Sequence, residues 1–225
     1  MKGRLIVFEG LDGSGKKTQS DKLYKYMTDK GMNVKKVEFP DYSSPSAALI
    51  NMYLSGEFGN DPGDVNPYAA SSFYAVDRYA SYRRYWEDFY RKGGIIIADR
   101  YTTSNAIHQC SKLPREEWDG FLEWLFHYEY SLMGIPEPDQ VIYLRVDPEV
   151  SQKLLSERYD SDESKKDVHE KNVDYLRRSG EAASYCAEKL GWDVIGCVSD
   201  GKMRTIDEIF GDILTFVQNK QKSAD

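Results

Sequence analysis

The sequence predicts an α/β fold in which a parallel five-stranded sheet carries helices on both faces. Short apolar runs, among them Leu5–Phe8, Ile95–Ala98 and Val141–Leu144, alternate with longer stretches of helical periodicity. That is the pattern of strands buried on both sides. The first run ends in a glycine-rich turn, Gly10-Leu11-Asp12-Gly13-Ser14-Gly15-Lys16, and a helix-like segment follows at once. Nothing like a linker interrupts the 225 residues, so a single domain spanning 1–225 is expected.

The elements follow in order. Leu5–Glu9 is the first strand. Lys16–Lys30 is a helix with Leu23, Tyr26 and Met27 on one face, ended by Gly31. Asn33–Phe39 is a strand stopped by Pro40, and Ser44-Pro45-Ser46 reads as the cap and first turn of a helix to Leu54. A loop from Gly56 to Pro67 precedes a long helix, Pro67–Arg91. Gly93-Gly94 leads into the strand Ile95–Asp99, and Arg115–Met133 is the next helix. Val141–Val146 is a strand, with Pro148 opening a helix. Glu157–Lys171 is crowded with charge and lacks apolar periodicity, as expected of a lid. Val173–Leu190 is helical, Trp192–Cys197 a strand and Thr205–Gln218 the closing helix; Asn219–Asp225 is expected to fray.

The glycine-rich turn carries the clearest chemistry. Gly10, Gly13 and Gly15 let the backbone curl so that successive amide N–H groups converge on one anion. The N-terminus of the following helix adds partial positive charge, and Lys16 reaches the β- and γ-phosphates of a nucleotide. The spacing matches G-x-x-x-x-G-K-[ST] except at its last position. Lys17 stands there, and the hydroxyl arrives one residue later, at Thr18. The fold is accordingly that of a P-loop NTPase. In parallel sheets ligands bind beyond the carboxyl ends of the strands. Two further ends bear functional groups: Phe39-Pro40-Asp41-Tyr42 and Asp99-Arg100-Tyr101. On the long helix Tyr74, Asp77, Arg78 and Ser81 are spaced to share one face.

Composition excludes several classes. A net charge of −7 argues against a nucleic-acid polymer as partner, while leaving room for a local cationic pocket that binds a mononucleotide. Cys110, Cys186 and Cys197 are widely spaced and form no C-x-x-C pair, so neither a disulfide framework nor a zinc site is expected. No run reaches membrane-spanning length and the N-terminal apolar run is too short for a signal peptide. A cytoplasmic protein is expected, with no membrane partner.

The run Phe8 to Lys16, then Phe39-Pro40, Asp77-Arg78, Asp99-Arg100-Tyr101 with Ser104-Asn105, and Val141-Ile142-Tyr143-Leu144 with Asp147-Pro148-Glu149, resembles the thymidylate kinase family, in the same order and over nearly the whole chain. The resemblance implies transfer of the γ-phosphoryl of ATP to dTMP, giving dTDP, with Mg²⁺, in a homodimer. It implies a nucleotide-binding loop of Gly10, Leu11, Asp12, Gly13, Ser14, Gly15, Lys16, Lys17 and Thr18. Lys16 holds the transferred phosphoryl, Arg100 bridges donor and acceptor phosphates, and Asp12 and Asp99 sit near the metal and its waters. Lys16, Arg100 and Asp12 are the expected catalytic group, and Asp12 and Glu170 the expected metal carboxylates. Tyr74 takes the place of an aromatic that stacks on the thymine. Arg78 donates to a base carbonyl, Asn105 reads the base edge, and Phe39, Tyr42 and His108 complete the acceptor side.

Three departures set this chain apart from its family. Lys17 replaces the usual hydroxyl ligand to Mg²⁺. Asp41 follows Phe39-Pro40, where a phosphate-gripping arginine is common. The loop lacks an arginine, which shifts attention to Arg158, Lys165 and Lys166 of the lid. Asp41 keeps alive a kinase for another deoxynucleotide or nucleoside, and together with Lys17 a nucleotide-binding relative without turnover. Lys16, Asp99 and Arg100 argue for turnover.

Overall fold

The computed structural model of the protein describes residues 2–147, 150–151 and 172–222. Among these, five parallel strands form the main sheet in the order β2-β3-β1-β4-β5. They are β1 (Arg4–Glu9), β2 (Val34–Glu38), β3 (Ile95–Asp99), β4 (Gln140–Arg145) and β5 (Asp193–Gly196). The chain lays β2 and β3 to one side of β1 and β4 and β5 to the other. The carboxyl end of β1 therefore lies where the winding reverses, the usual place for a ligand crevice. Phe8 pairs with Asp99 on one side and Ile142 on the other, which sets the ends of β1 and β3 level.

Alternation along the strands divides the core into two layers. Leu5, Val7, Ile96, Ala98 and Tyr143 face one cluster with Trp86, Tyr101, Phe121 and Cys186. Ile6, Phe8, Ile97, Ile142 and Leu144 face the other with Leu23, Met27, Ile209 and Ile213. The second layer is covered by α1 (Lys16–Asp29) and the C-terminal helix α8 (Ile206–Lys222); the first by α5 (Thr102–Cys110), α6 (Trp118–Phe126) and α7 (Val173–Lys189), with α3 (Pro67–Ser81) packed on α5. Two short helices, α2 (Ala48–Leu54) and α4 (Glu87–Arg91), complete the set.

Several expectations are corrected. The single helix expected over 67–91 is α3 and α4 joined by a π-helical stretch, Tyr82–Trp86. Tyr82, Trp86 and Tyr90 are all buried in one cluster at a spacing of four. An α-helix rotates such a series by about 40° per step, and the wider π turn brings it back into line. The helix expected over 115–133 likewise ends in a π stretch, His127–Leu132. Thr102–Cys110, unassigned in the sequence, is a helix that packs Ala106, Ile107 and Cys110 into the first layer and turns Thr102, Thr103 and Asn105 to buried carboxylates. A small ribbon, β6 (Val198–Ser199) and β7 (Lys202–Met203), closes through Asp200-Gly201, both at positive φ. The C-terminal helix runs to Lys222, and 223–225 lie outside the described residues. Pro148, the lid 157–171 and Glu170 also lie outside them. No helix of the described residues is long and apolar enough to cross a membrane.

Candidate active site

The turn after β1 takes the shape its glycines allow. Gly13 (φ 79°) and Gly15 (φ 86°) occupy the left-handed region, and Gly15 caps α1. A Cβ on Gly10 would run into Ser14 Oγ and come within 2.8 Å of the Leu144 carbonyl. The buried Ser14 Oγ has no hydrogen-bond partner among the described residues.

Lys16 is buried beneath this loop, its Nζ donating to the Leu11 carbonyl at 2.9 Å and lying 3.8 Å from Asp12 Oδ1. Burial, reinforced by the Arg100 charge, pushes Lys16 down to about 8, against the pull of Asp12, Asp99 and Glu9. Arg100 comes from the end of β3. Its backbone is left-handed (φ 66°), a conformation costing a residue with a Cβ on the order of 1 kcal/mol, and its N–H donates to the Phe8 carbonyl at 3.0 Å. The guanidinium reaches across to Asp12, pairing with Oδ1, and approaches Ser104 Oγ at 3.4 Å. Burial works against both charges, but Arg100 and Lys16 hold the Asp12 carboxyl well below the usual carboxylate range.

Beneath Arg100, Glu9 is wholly buried and accepts from Thr103 Oγ1 (2.6 Å), Ser104 Oγ (2.8 Å) and the Tyr101 N–H (3.2 Å). Burial raises its pKa, while the Arg100 charge and these hydroxyls draw it back. Glu9 thus clamps the start of α5 against the end of β1. Asp99 is also buried and raised for the same reason, with Lys16 and Arg100 opposing.

These groups lie on a cleft of about 680 Å³. Its wall is formed by Asp12, Gly13, Gly15, Lys16, Lys17 and Thr18 of the loop and α1, by Tyr74 and Arg78 of α3, by Asn105 and His108 of α5, and by Phe39, Tyr42, Asp99 and Arg100 at and beyond the ends of β2 and β3. Gly10, Leu11 and Ser14 are not on the wall. Asp41 is not on it either, although Pro40 and Tyr42 are. Its Oδ1 accepts from Ser43 N (3.2 Å) and Ser43 Oγ (2.7 Å), and its own N–H donates to Asp77 Oδ2 at 3.0 Å. The carboxylate closes an Asx turn, which explains an acidic residue beside a phosphate site. Lys17 is exposed and donates to Glu38 at 3.1 Å.

Behind the cleft wall at Arg78 and Asn105 lies another buried carboxylate that sequence reasoning missed. Glu129, in the π stretch, accepts from Arg78 Nε (2.7 Å) and Nη2 (2.5 Å), Thr102 Oγ1 (2.8 Å) and Asn105 Nδ2 (3.3 Å). Arg78 and Asn105 therefore reach the cleft as members of a network. Gln109 was missed too. It lines the cleft and is wholly buried, and among the described residues neither its Oε1 nor its Nε2 has a partner. The one sequence signal for it was its place one turn beyond Asn105 on an unassigned helix. His108 touches the Tyr175 hydroxyl through Nδ1 at 3.3 Å; burial and the Arg100 charge push it down to about 3, so the ring is neutral.

The oxygen donors on the cleft wall, Asp12, Asp99 and Thr18, suit a hard cation that keeps phosphate oxygens and water as its other ligands.

Comparison with known proteins identifies the family. The family model described as thymidylate kinase matches residues 8–195. The chain is 30% identical to a thymidylate kinase of Mycobacterium tuberculosis over 201 residues, covering 87% of this chain and 92% of that protein. It is 25% identical to one of Danio rerio over 222 residues, covering 97% and 91%. A solved thymidylate kinase structure from Candida albicans superposes with a TM-score of 0.71 over 98% of this chain and 93% of that one; at 22% identity it speaks for the fold. A family model matched over residues 8–195, together with a 30% identical relative covered over 92% of its length, shows that this chain belongs to the thymidylate kinase family.

Proposed function

We propose that the protein moves the γ-phosphoryl group of ATP onto dTMP, giving dTDP and ADP. One observation carries this: Lys16 and Asp12 of the glycine-rich loop and Arg100 from the end of β3 converge on one cleft whose wall also includes Tyr74, Asn105 and Gln109. Phosphoryl transfer needs alignment and charge neutralisation, not covalent help from the protein. Lys16 Nζ, hydrogen-bonded to the Leu11 carbonyl with Asp12 3.8 Å away, exchanges these partners for phosphate oxygens. Arg100, anchored by Asp12 and braced over Glu9, lies between donor and acceptor anions. The acceptor is already an anion, so no general base is required. Tyr74 offers a ring to the base, and the Gln109 amide, which both donates and accepts, suits the mixed edge of thymine; Asn105, whose Nδ2 donates to the Ser71 carbonyl and to Glu129, offers its Oδ1. Arg78, with Nε and Nη2 on Glu129 and Nη1 3.4 Å from the Tyr101 carbonyl, lines the same wall.

Mg²⁺ belongs to this proposal as the ion that neutralises the phosphate charge, with Asp12 the first carboxylate to support it. A homodimer through the exposed stripe Tyr68, Val76 and Tyr79 of α3, and a cytoplasmic location, belong to it as well. The test is an acceptor panel with the purified protein, ATP and Mg²⁺. dTMP should be phosphorylated with the highest kcat/KM; preference for a cytosine or purine nucleotide would redirect the function to that acceptor.

A further inference from the structure

Lys112 stands in the turn after α5 and does not line the cleft. Its Nζ donates to the Tyr53 hydroxyl at 2.8 Å and to the Val65 carbonyl at 3.1 Å. Both acceptors are neutral. Asp61 is the acidic group acting on it through space, and burial still pushes the lysine down to about 7. A cation with neutral partners in a largely desolvated place is a costly cross-link.

Its position indicates what the link holds. Tyr53 lies at the end of α2, next to Leu54, which lines the cleft. Val65 precedes Asn66, whose side chain caps α3 by accepting from the Ala69 N–H at 2.9 Å, and α3 carries Tyr74. Lys112 itself follows Gln109 at the end of α5. One ammonium therefore joins the ends of the three helices that give Leu54, Tyr74 and Gln109 to the acceptor compartment.

Resting on the function proposed above, we infer that Lys112 is a positioning residue of the acceptor pocket, fixing the separation of Leu54, Tyr74 and Gln109 without touching the nucleotide. Misplacing such a wall weakens the fit of the acceptor and leaves the phosphate machinery intact.

The experiment compares wild type, Lys112→Met and Lys112→Arg in initial-rate kinetics with ATP and dTMP. Lys112→Met is expected to raise KM for dTMP by about tenfold, with kcat and KM for ATP within about twofold, and Lys112→Arg to recover most of the loss. A folded Lys112→Met with unchanged KM for dTMP overturns the inference, as does a loss shared equally by both substrates. Should Lys112→Met fail to fold, Tyr53→Phe removes the hydroxyl acceptor instead. It is then expected to raise KM for dTMP by about threefold, and no change overturns the inference. Wild-type turnover of dTMP is the control. Its absence overturns the proposed function and this inference with it; normal wild-type turnover beside an unaltered Lys112→Met overturns this inference alone.

Discussion

Arg78 holds Glu129 through two nitrogens, Nε at 2.7 Å and Nη2 at 2.5 Å, with both side chains buried. The pair joins α3 to the π stretch after α6, and Thr102 and Asn105 of α5 complete it. Burial penalises the Arg78 charge, but the Glu129 carboxylate more than compensates and the arginine stays firmly protonated. Three elements of the acceptor end thus depend on one carboxylate.

Glu129→Leu leaves Arg78 buried and unpaired. It should cost about 3–5 kcal/mol in urea unfolding, the range for breaking one side of a buried pair. Arg78→Met in the same background should recover part of that. Additive losses in the double variant would show that the two residues are not coupled.

Lys16→Met should give opposite signs in stability and activity. The lysine falls from 10.5 to about 8 in the fold. Between those values the unfolded chain binds the extra proton, so this group's contribution to stability rises with pH there, and below about 8 its penalty is complete. Removing it should stabilise the protein at pH 7 by on the order of 1–3 kcal/mol, while transfer falls by ~10²-fold or more. In the wild type, kcat/KM for ATP should fall as pH rises through about 8, where the free protein loses this charge. A flat profile from pH 7 to 9.5 would contradict the assignment.

Asp41→Ala should be tolerated. Its carboxylate serves the turn at Ser43. KM for dTMP is expected to stay within about threefold of wild type and to improve slightly at low salt, with a stability loss of about 1 kcal/mol. Asp77→Ala should be worse for the acceptor, because its two oxygens hold the Asp41 N–H and, at 2.6 Å, Ser46 Oγ. A collapse of kcat in Asp41→Ala would make Asp41 a metal or water ligand.

Gln109→Leu separates ligand reading from folding. The amide is buried with both ends unpartnered, so the leucine should unfold at a higher urea concentration. KM for dTMP should nevertheless rise by about tenfold if the amide pairs with the base. Lower stability with unchanged KM would remove Gln109 from the acceptor site.

The sheet was legible because β1, β3 and β4 are apolar on both faces and are followed by glycine or charged ends at the crevice. The phosphate loop was legible because its geometry demands glycine at fixed spacing. α5 was not. Seven of its nine residues are buried, and Thr102, Thr103 and Asn105 face carboxylates, so no polar-out periodicity marked the helix. Glu9 and Glu129 were missed for the same reason. A lone carboxylate gives no sign of becoming a buried hub until its donors, 94 positions on for Thr103 and 51 back for Arg78, are brought to it. The π stretches escaped because they share the composition of the helices they interrupt.

Transfer itself is the most direct measurement. Wild type, Lys16→Met and Arg100→Ala are incubated with ATP labelled at the γ-phosphorus, dTMP and Mg²⁺, and the label is followed. Label should appear at the β-phosphorus of dTDP with wild type, and at about 1% of that rate or less with either variant. Label released only as inorganic phosphate, or reaching dTDP equally fast without Arg100, would contradict the mechanism.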